Sequence, residues 1–580
     1  MKEALLAVLA WSVVFLAFGC SGLQATQEEG ADVTQPDIVF VLADDLDSDA
    51  VQLMPKLRGL LIDEGTSFDN YYISLPQCCP SRASILTGLY THNHNVQGNF
   101  PPLGGFQKFY DEGLEEGTIA TRLQEAGYQT AFFGKYLNAY PGDEGPSYVP
   151  PGWDEWYGRV DENKLYNYRT NENGQVISYD HNTEDYYTDV LSKQVTDFVH
   201  RTASDSKPCF MYIAPTAPHE PATPAERYKD AFDDEKAPRS PSFNEEDVSD
   251  KPPWIRNIAP LSDKEISEID NRYRQRLRSL LAVDEMVASL VQELKDAGKL
   301  DDTYIFFTSD NGWEQGQHRI PKEKGRPYEE SSRVPLYVRG PGVFAGSKTD
   351  KLLLNTDLAP TFADLAGTSF PSDGRSFKPL LEGEESSWRS AILLERLEES
   401  SEKSEKVKEH IESVGDYHPY KAVRAGSYKY IEYGNGEREL YDLESDPYEL
   451  DNIYESADPS VLEDLKAKLD ALKGCSGPSC QEAEDSSLVE YLKAKLDALL
   501  VASGQNIKRL LAFGGWRPKK LAQTAALRPL AGTSHKISRA RKHLARSSRG
   551  QREYFSTPWF LVETRMTPAD QRPFASKRLG

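Results

Sequence analysis

The feature that most constrains the fold is an alternation. Five short, largely apolar runs recur through the first two thirds of the chain, with helical patterns and polar loops between them: Ile38-Val39-Phe40-Val41-Leu42, Thr130-Ala131-Phe132-Phe133, Phe210-Met211-Tyr212-Ile213, Tyr304-Ile305-Phe306-Phe307-Thr308 and Val334-Pro335-Leu336-Tyr337-Val338. Runs of this length, rich in β-branched and aromatic residues, read as strands buried on both faces. Strands separated by helices read as a largely parallel sheet in an α/β domain. Between the third and fourth runs, Ile266, Ile269, Tyr273, Leu277, Leu280, Val287, Leu290 and Leu294 recur at helical spacing, which predicts a long amphipathic helix used for packing.

After about Ser387 the pattern changes. Tyr428-Lys429-Tyr430-Ile431-Glu432-Tyr433, a Gly434-Asn435-Gly436 turn and Glu439-Leu440-Tyr441-Asp442-Leu443 predict an antiparallel hairpin. The expected organisation is a leader over 1–20, a large domain over 36–386, a small sheet domain over 387–485 and an extension over 486–580. The charged stretch from Glu398 to Glu412 reads as a solvated insertion. An octapeptide at Leu465–Leu472 returns at Leu492–Leu499, and two copies do not make a solenoid.

Charge limits the partners. The formal charge is −24, but residues 505–580 hold 17 Lys+Arg against 3 Asp+Glu, leaving a body of −38 and a tail of +14. Such a body repels nucleic acid, so any anionic substrate must be held by a local basic site. The tail shows no hydrophobic period and is read as disordered.

Lys2 followed by an apolar run from Ala4 to Gly19 has the length of a signal-peptide core and is short for a membrane span. It ends Ala17-Phe18-Gly19-Cys20, near the small-residue pattern at which bacterial lipoproteins are cut and acylated, so secreted, periplasmic and lipid-anchored forms all stay open. Of the other cysteines, Cys475 and Cys480 close a short loop suited to pairing, and Cys209 opens an apolar strand, where a buried thiol is expected. Adjacent Cys78 and Cys79 need a different explanation.

Three strands deliver polar groups at their C-terminal ends, where open α/β sheets place ligands. The first run leads to Asp44-Asp45, the fourth to Asp310-Asn311-Gly312 and the third to His219. Together these carboxylates and the amide oxygen suit a hard cation, Ca²⁺ or Mg²⁺. In Cys78-Cys79-Pro80-Ser81-Arg82-Ala83-Ser84-Ile85-Leu86-Thr87-Gly88, proline at the first turn marks a helix start. This sets Cys78 at the positive end of the helix with Arg82 one turn along, an arrangement for anions.

That stretch resembles the signature of the type I sulfatases, members of the alkaline-phosphatase-like superfamily. In that family the first cysteine of Cys-x-Pro-Ser-Arg becomes Cα-formylglycine. The similarity runs from Pro36 to about Glu482 and includes Gly134-Lys135, His219, Asp310-Asn311-Gly312, Lys324-Gly325-Arg326 and Asp446-Pro447-Tyr448-Glu449-Leu450. It implies a mixed, mostly parallel sheet between helices with a small antiparallel sheet domain. It also implies a sulfuric ester hydrolase in which Asp44, Asp45, Asp310, Asn311 and modified Cys78 hold one divalent cation, usually Ca²⁺. By the same resemblance Arg82 holds the formylglycine, Lys135, Lys324 and His219 bind sulfate and assist the leaving oxygen, and a formylglycine-generating enzyme acts during maturation. A hydrated aldehyde would attack sulfur through one hydroxyl and expel sulfate through the other, which a serine could not do.

Two local features narrow the substrate. Many arylsulfatases have a Trp-His pair after the Gly-Lys, whereas this chain reads Tyr136-Leu137-Asn138, so Asn138 is a candidate for substrate contact at that place. Together with Tyr90-Thr91-His92-Asn93-His94, this looks most like the N-acetylglucosamine-6-sulfatases and the related heparan endosulfatases. The resemblance implies a sulfated sugar as substrate, with His94 and His318 as further candidates for contact with it. An arylsulfatase of broader specificity and a phosphonate monoester or phosphodiester hydrolase are the alternatives.

Overall fold

The computed structural model describes residues 35–161, 163–384, 387–397 and 419–485. The leader, the charged stretch from Glu398 to Glu412, the second octapeptide and the basic extension lie outside the described residues. All five apolar runs are strands: β1 (Asp37–Ala43), β2 (Gln129–Gly134), β3 (Cys209–Ala214), β4 (Thr303–Ser309) and β5 (Leu336–Arg339).

They form the centre of a ten-stranded sheet in the order Ser347–Thr349, Thr66–Phe68, β5, β4, β1, β3, β2, Glu155–Arg159, Tyr168–Glu172 and Gln175–Tyr179. β4, β1, β3 and β2 run parallel, while β5 is antiparallel to β4. The register pairs Ala43 with Ser309 and Gly134 with Ala214, so the four parallel strands end along one edge.

Alternate side chains of β1 feed two cores, which is why its sequence is apolar without a break. Ile38, Phe40 and Leu42 pack with helix α1 (Cys78–Thr87) and with Phe362. Val39, Val41 and Ala43 pack against α2 (Tyr187–Thr202) and α3 (Asp263–Asp296). Ser262 caps α3: its hydroxyl accepts the Glu265 N–H at 3.4 Å, and the Glu265 carboxylate accepts the Ser262 N–H at 2.8 Å. No helix among the described residues is long and apolar enough to cross a membrane.

The late strands β6 (Ala391–Arg396), β7 (Tyr420–Ala425), β8 (Tyr428–Tyr433) and β9 (Arg438–Asp442) form a separate antiparallel sheet in sequential order. Its apolar face shares a core with Tyr72, Tyr90, Tyr328 and Leu354 of the large part. Cys475 and Cys480 are disulfide-bonded, and Cys209 is a buried thiol.

Arg389 just before β6 fastens this junction. It is fully buried, 2.6 Å from Asp357 Oδ1 through Nη2 and 3.2 Å from Glu484 Oε2 through Nε. Removing the guanidinium leaves the buried Asp357 carboxylate without a cation, while Glu484 keeps Arg375 at 3.0 Å, so Arg389→Met is expected to cost about 3 kcal/mol in denaturant unfolding.

Candidate active site

The parallel register decides where the chemistry sits. β1 ends in Asp44-Asp45 beside β4, which ends in Asp310-Asn311, and the Asp310 N–H donates to Ala43 O at 3.1 Å. Asp44, Asp45, Asp310 and Asn311 are all fully buried. Asp45 takes a left-handed backbone conformation, φ 65°, which turns the chain so that its N–H donates to Asp310 Oδ1 at 3.1 Å. At the end of β2, Gly134 has φ 117° and a Cβ there would lie 2.1 Å from Ala214 O. Only glycine lets the chain leave the sheet at this point and deliver Lys135 to the same edge.

α1 begins at Cys78 and brings Arg82 in from one side. Its Nε donates to Asp310 Oδ2 at 2.9 Å and its Nη1 to Lys135 O at 2.5 Å, while Nη2 lies 3.9 Å from Asp44 Oδ1. Lys135 Nζ is 2.5 Å from Asp44 Oδ2. Lys324 Nζ contacts Asp45 Oδ1 and sits 2.9 Å from Cys78 Sγ, which is 3.4 Å from Asp44 Oδ1. His219 Nε2 is 3.5 Å from Asp45 Oδ2, and its Nδ1 is 2.6 Å from Glu220 O, a contact in which Nδ1–H donates and Nε2 is left facing the carboxylate.

These groups titrate as a unit. Burial pushes the Asp44 carboxyl up, but Lys135, His219 and Arg82 outweigh it and hold the group well below the carboxylate range. Burial and the neighbouring Asp44 push Asp310 up to about 6 against the pull of Arg82. Lys135 and Lys324 stay protonated because the carboxylates and Cys78 overcome their burial. Burial lowers His219, and it raises the Cys78 thiol well above its usual range despite two nearby ammoniums. As a thiol, Cys78 is therefore a poor nucleophile.

The donor set fits a hard divalent cation. Asp45 Oδ2 and Asn311 Oδ1 are buried oxygens that accept no hydrogen bond, and Asp44, Asp45, Cys78 and His219 each bring a ligand atom to within 4.8 Å of the others. Above this floor opens a crevice of about 440 Å³ with Lys135, His219 and Lys324 on its wall. Asn138 lines it and carries a buried Oδ1 without a partner.

The structure does not bring every candidate to the crevice. His94 is buried, with Nε2 3.0 Å from Ser84 Oγ and Nδ1 accepting the Val96 N–H at 3.0 Å, and burial lowers it to about 3. One ring nitrogen is spent on α1 and the other on its own loop, which corrects its expected substrate contact. His92 is tied to Glu395 and to Cys475 O. His318 is fully buried against Tyr328 and Glu245 and is absent from the crevice wall, a second correction.

Other residues were missed. Arg159, Asp161 and Asn163 line the crevice, and the Asn163 amide lies 3.0 Å from His219 Nδ1. They sit at and after a short strand between β2 and Tyr168–Glu172, with no motif to mark them. Arg276 lies on α3, expected only to pack, yet its Nη2 donates to Asp45 O at 2.5 Å and to Asp47 Oδ2 at 2.9 Å. A buried arginine interrupting an apolar helix face was the available signal.

A model of the sulfatase family matches residues 36–368, and a model for the C-terminal region of N-sulphoglucosamine sulphohydrolase matches residues 316–474. N-acetylglucosamine-6-sulfatase of Capra hircus is 37% identical over 493 residues, covering 80% of this chain and 87% of the relative. The Homo sapiens protein of that name is 36% identical, covering 80% and 88%. A solved structure of a protein in complex with its substrate D-glucosamine-2-N,6-O-disulfate superposes with a TM-score of 0.63 at 26% identity, covering 78% of this chain and 99% of the other.

The carboxylate floor generates a direct expectation. Ca²⁺ at hundredfold excess over its Kd should stabilise the full chain by about 3 kcal/mol, read as a rise in Tm. Asp45→Asn should remove that rise, and chelation of the wild type should reverse it.

Proposed function

The chain belongs to the sulfatase family, and on that premise we propose that it releases the 6-O-sulfate of an N-acetylglucosamine unit in a sulfated carbohydrate. As a sulfatase it is a sulfuric ester hydrolase. The observation that carries the reading is the meeting of Cys78, Arg82, Lys135, His219 and Lys324 over one buried carboxylate floor at the mouth of the crevice. The sugar reading is supported by relatives named N-acetylglucosamine-6-sulfatase and by the fold neighbour bound to a glucosamine disulfate.

Each residue then has a physical task. Cys78, converted to formylglycine, supplies an oxygen nucleophile in place of an inert thiol. Asp44, Asp45, Asp310 and Asn311 would hold the cation, Ca²⁺, which supplies positive charge toward the sulfate oxygens. Lys135 and Lys324 both line the crevice and bind the non-bridging oxygens inside a shielded pocket, where charge interacts strongly. Arg82, paired with Asp310, orients the residue at position 78. One of the lysines, or His219 when it is protonated on Nε2, gives a proton to the departing sugar oxygen. The crevice volume suits a monosaccharide unit, and its polar wall of Asn138, Asp161 and Asn163 offers hydrogen bonds to ring hydroxyls.

Maturation requires a formylglycine-generating enzyme. The leader and the Cys475–Cys480 disulfide fit an exported protein that folds in an oxidising compartment. The catalytic domain is assigned to 36–386 and the small sheet domain to 387–485, with the extension from 486 dispensable for turnover.

Cys78→Ser and Cys78→Ala should each abolish release of sulfate in a turnover assay, and undiminished turnover in either would overturn the assignment. A panel of N-acetylglucosamine-6-sulfate, an aryl sulfate and an aryl phosphonate should rank in that order by kcat/KM. A preference for the phosphonate would move the chain to the other branch of the superfamily.

A further inference from the structure

A second cluster of ligating side chains lies outside the active site. One ring nitrogen of His318 and one carboxylate oxygen each from Glu330 and Glu449 lie within 4.8 Å of one another. No hydrogen bond joins any two of them. His318 Nδ1 is taken, 2.7 Å from Glu245 Oε2, whereas its Nε2 is buried without a hydrogen-bond partner. Glu330 accepts the Ser242 hydroxyl on Oε1 at 3.1 Å and leaves Oε2 buried without one. Glu449 accepts the Glu329 N–H on Oε2 at 2.7 Å, and its Oε1 lies 2.7 Å from Lys429 Nζ, an ammonium shared with Glu329 Oε1 at 2.7 Å.

Three features make this more than an acidic corner. Glu449 has the Lys429 ammonium beside it, whereas His318 Nε2 and Glu330 Oε2 are buried with no hydrogen-bond partner, which is costly unless a cation or a proton stands between them. The three atoms lie within 4.8 Å of one another with no hydrogen bond between any two, a span that a shared metal with bonds of about 2.1 Å bridges after small side-chain shifts. The Glu245 carboxylate on Nδ1 is the arrangement that orients a metal-binding histidine and raises its basicity.

We propose that His318, Glu330 and Glu449 form a second divalent-cation site, selective for a metal that accepts imidazole, of which Zn²⁺ is the probe. The catalytic floor, with three aspartates and the Asn311 amide, is richer in oxygen and favours Ca²⁺. A cavity of about 220 Å³ whose lining includes Asp47, Asp49, Glu329, Glu330 and Arg333 reaches the cluster at Glu330. His318 and Glu330 bracket the loop that carries Lys324, and Glu449 belongs to the loop after β9. The metal therefore clips the Lys324 loop to the small sheet.

The full chain is to be equilibrated with Zn²⁺ in excess Ca²⁺, desalted, and its metals counted by elemental mass spectrometry. One zinc per chain is expected in the wild type and in Asp45→Asn, with at least tenfold weaker retention in His318→Gln and Glu449→Gln. X-ray absorption at the zinc edge of the wild type, which does not depend on any variant folding, should show a shell of nitrogen and oxygen only. Absence of retained zinc, a sulfur neighbour from Cys78, or undiminished retention in both variants would overturn the site.

Discussion

The fold is organised around one electrostatic constraint: three aspartates are buried within one crevice floor at the ends of adjacent parallel strands. Ionised carboxylates without partners could not persist there, because the cost of removing charge from water exceeds the stability of a whole domain unless opposite charge is supplied. Arg82, Lys135 and Lys324 supply it, each from a different element. α1 must start at Cys78, β2 must end at Gly134 and the loop after β4 must return to the floor for the site to form at all. Positioning of the reacting groups and neutralisation of the floor are thus the same contacts.

The same contacts explain why the chain can be strongly acidic and still bind an anion. A body charge of −38 repels sulfate at long range, but inside the crevice two ammoniums and a guanidinium act at short range with little water between. The thiol at position 78 is silenced by burial, so on the proposed function reactivity depends on its conversion at the start of α1, one turn from Arg82.

Much of this was legible in the sequence because it follows from local pattern. Unbroken apolar runs specify strands buried on both faces, and Asp-Asp, Asp-Asn and His at their ends follow from the parallel sheet alone. The Tyr428–Tyr433 hairpin was set by its turn. What stayed hidden depends on long-range packing. His94 and His318 carry the same side chain as His219, and only tertiary contacts reveal that Ser84 and the Val96 N–H occupy the first and Glu245 the second. Arg159 and Asn163 reach the crevice from the end of a short strand and the loop after it, and no residue announces that strand's place beside β2. Arg276 on α3 shows that a helix read by its apolar stripe can still hold the site, through one polar residue within that stripe.

The central claim is that the buried group at position 78 reacts only after its thiol has become an aldehyde. Peptide mass spectrometry across Cys78–Arg82 in preparations that turn over sulfate esters tests it most directly. The account predicts the aldehyde in proportion to activity, and full activity with an unmodified thiol would contradict it.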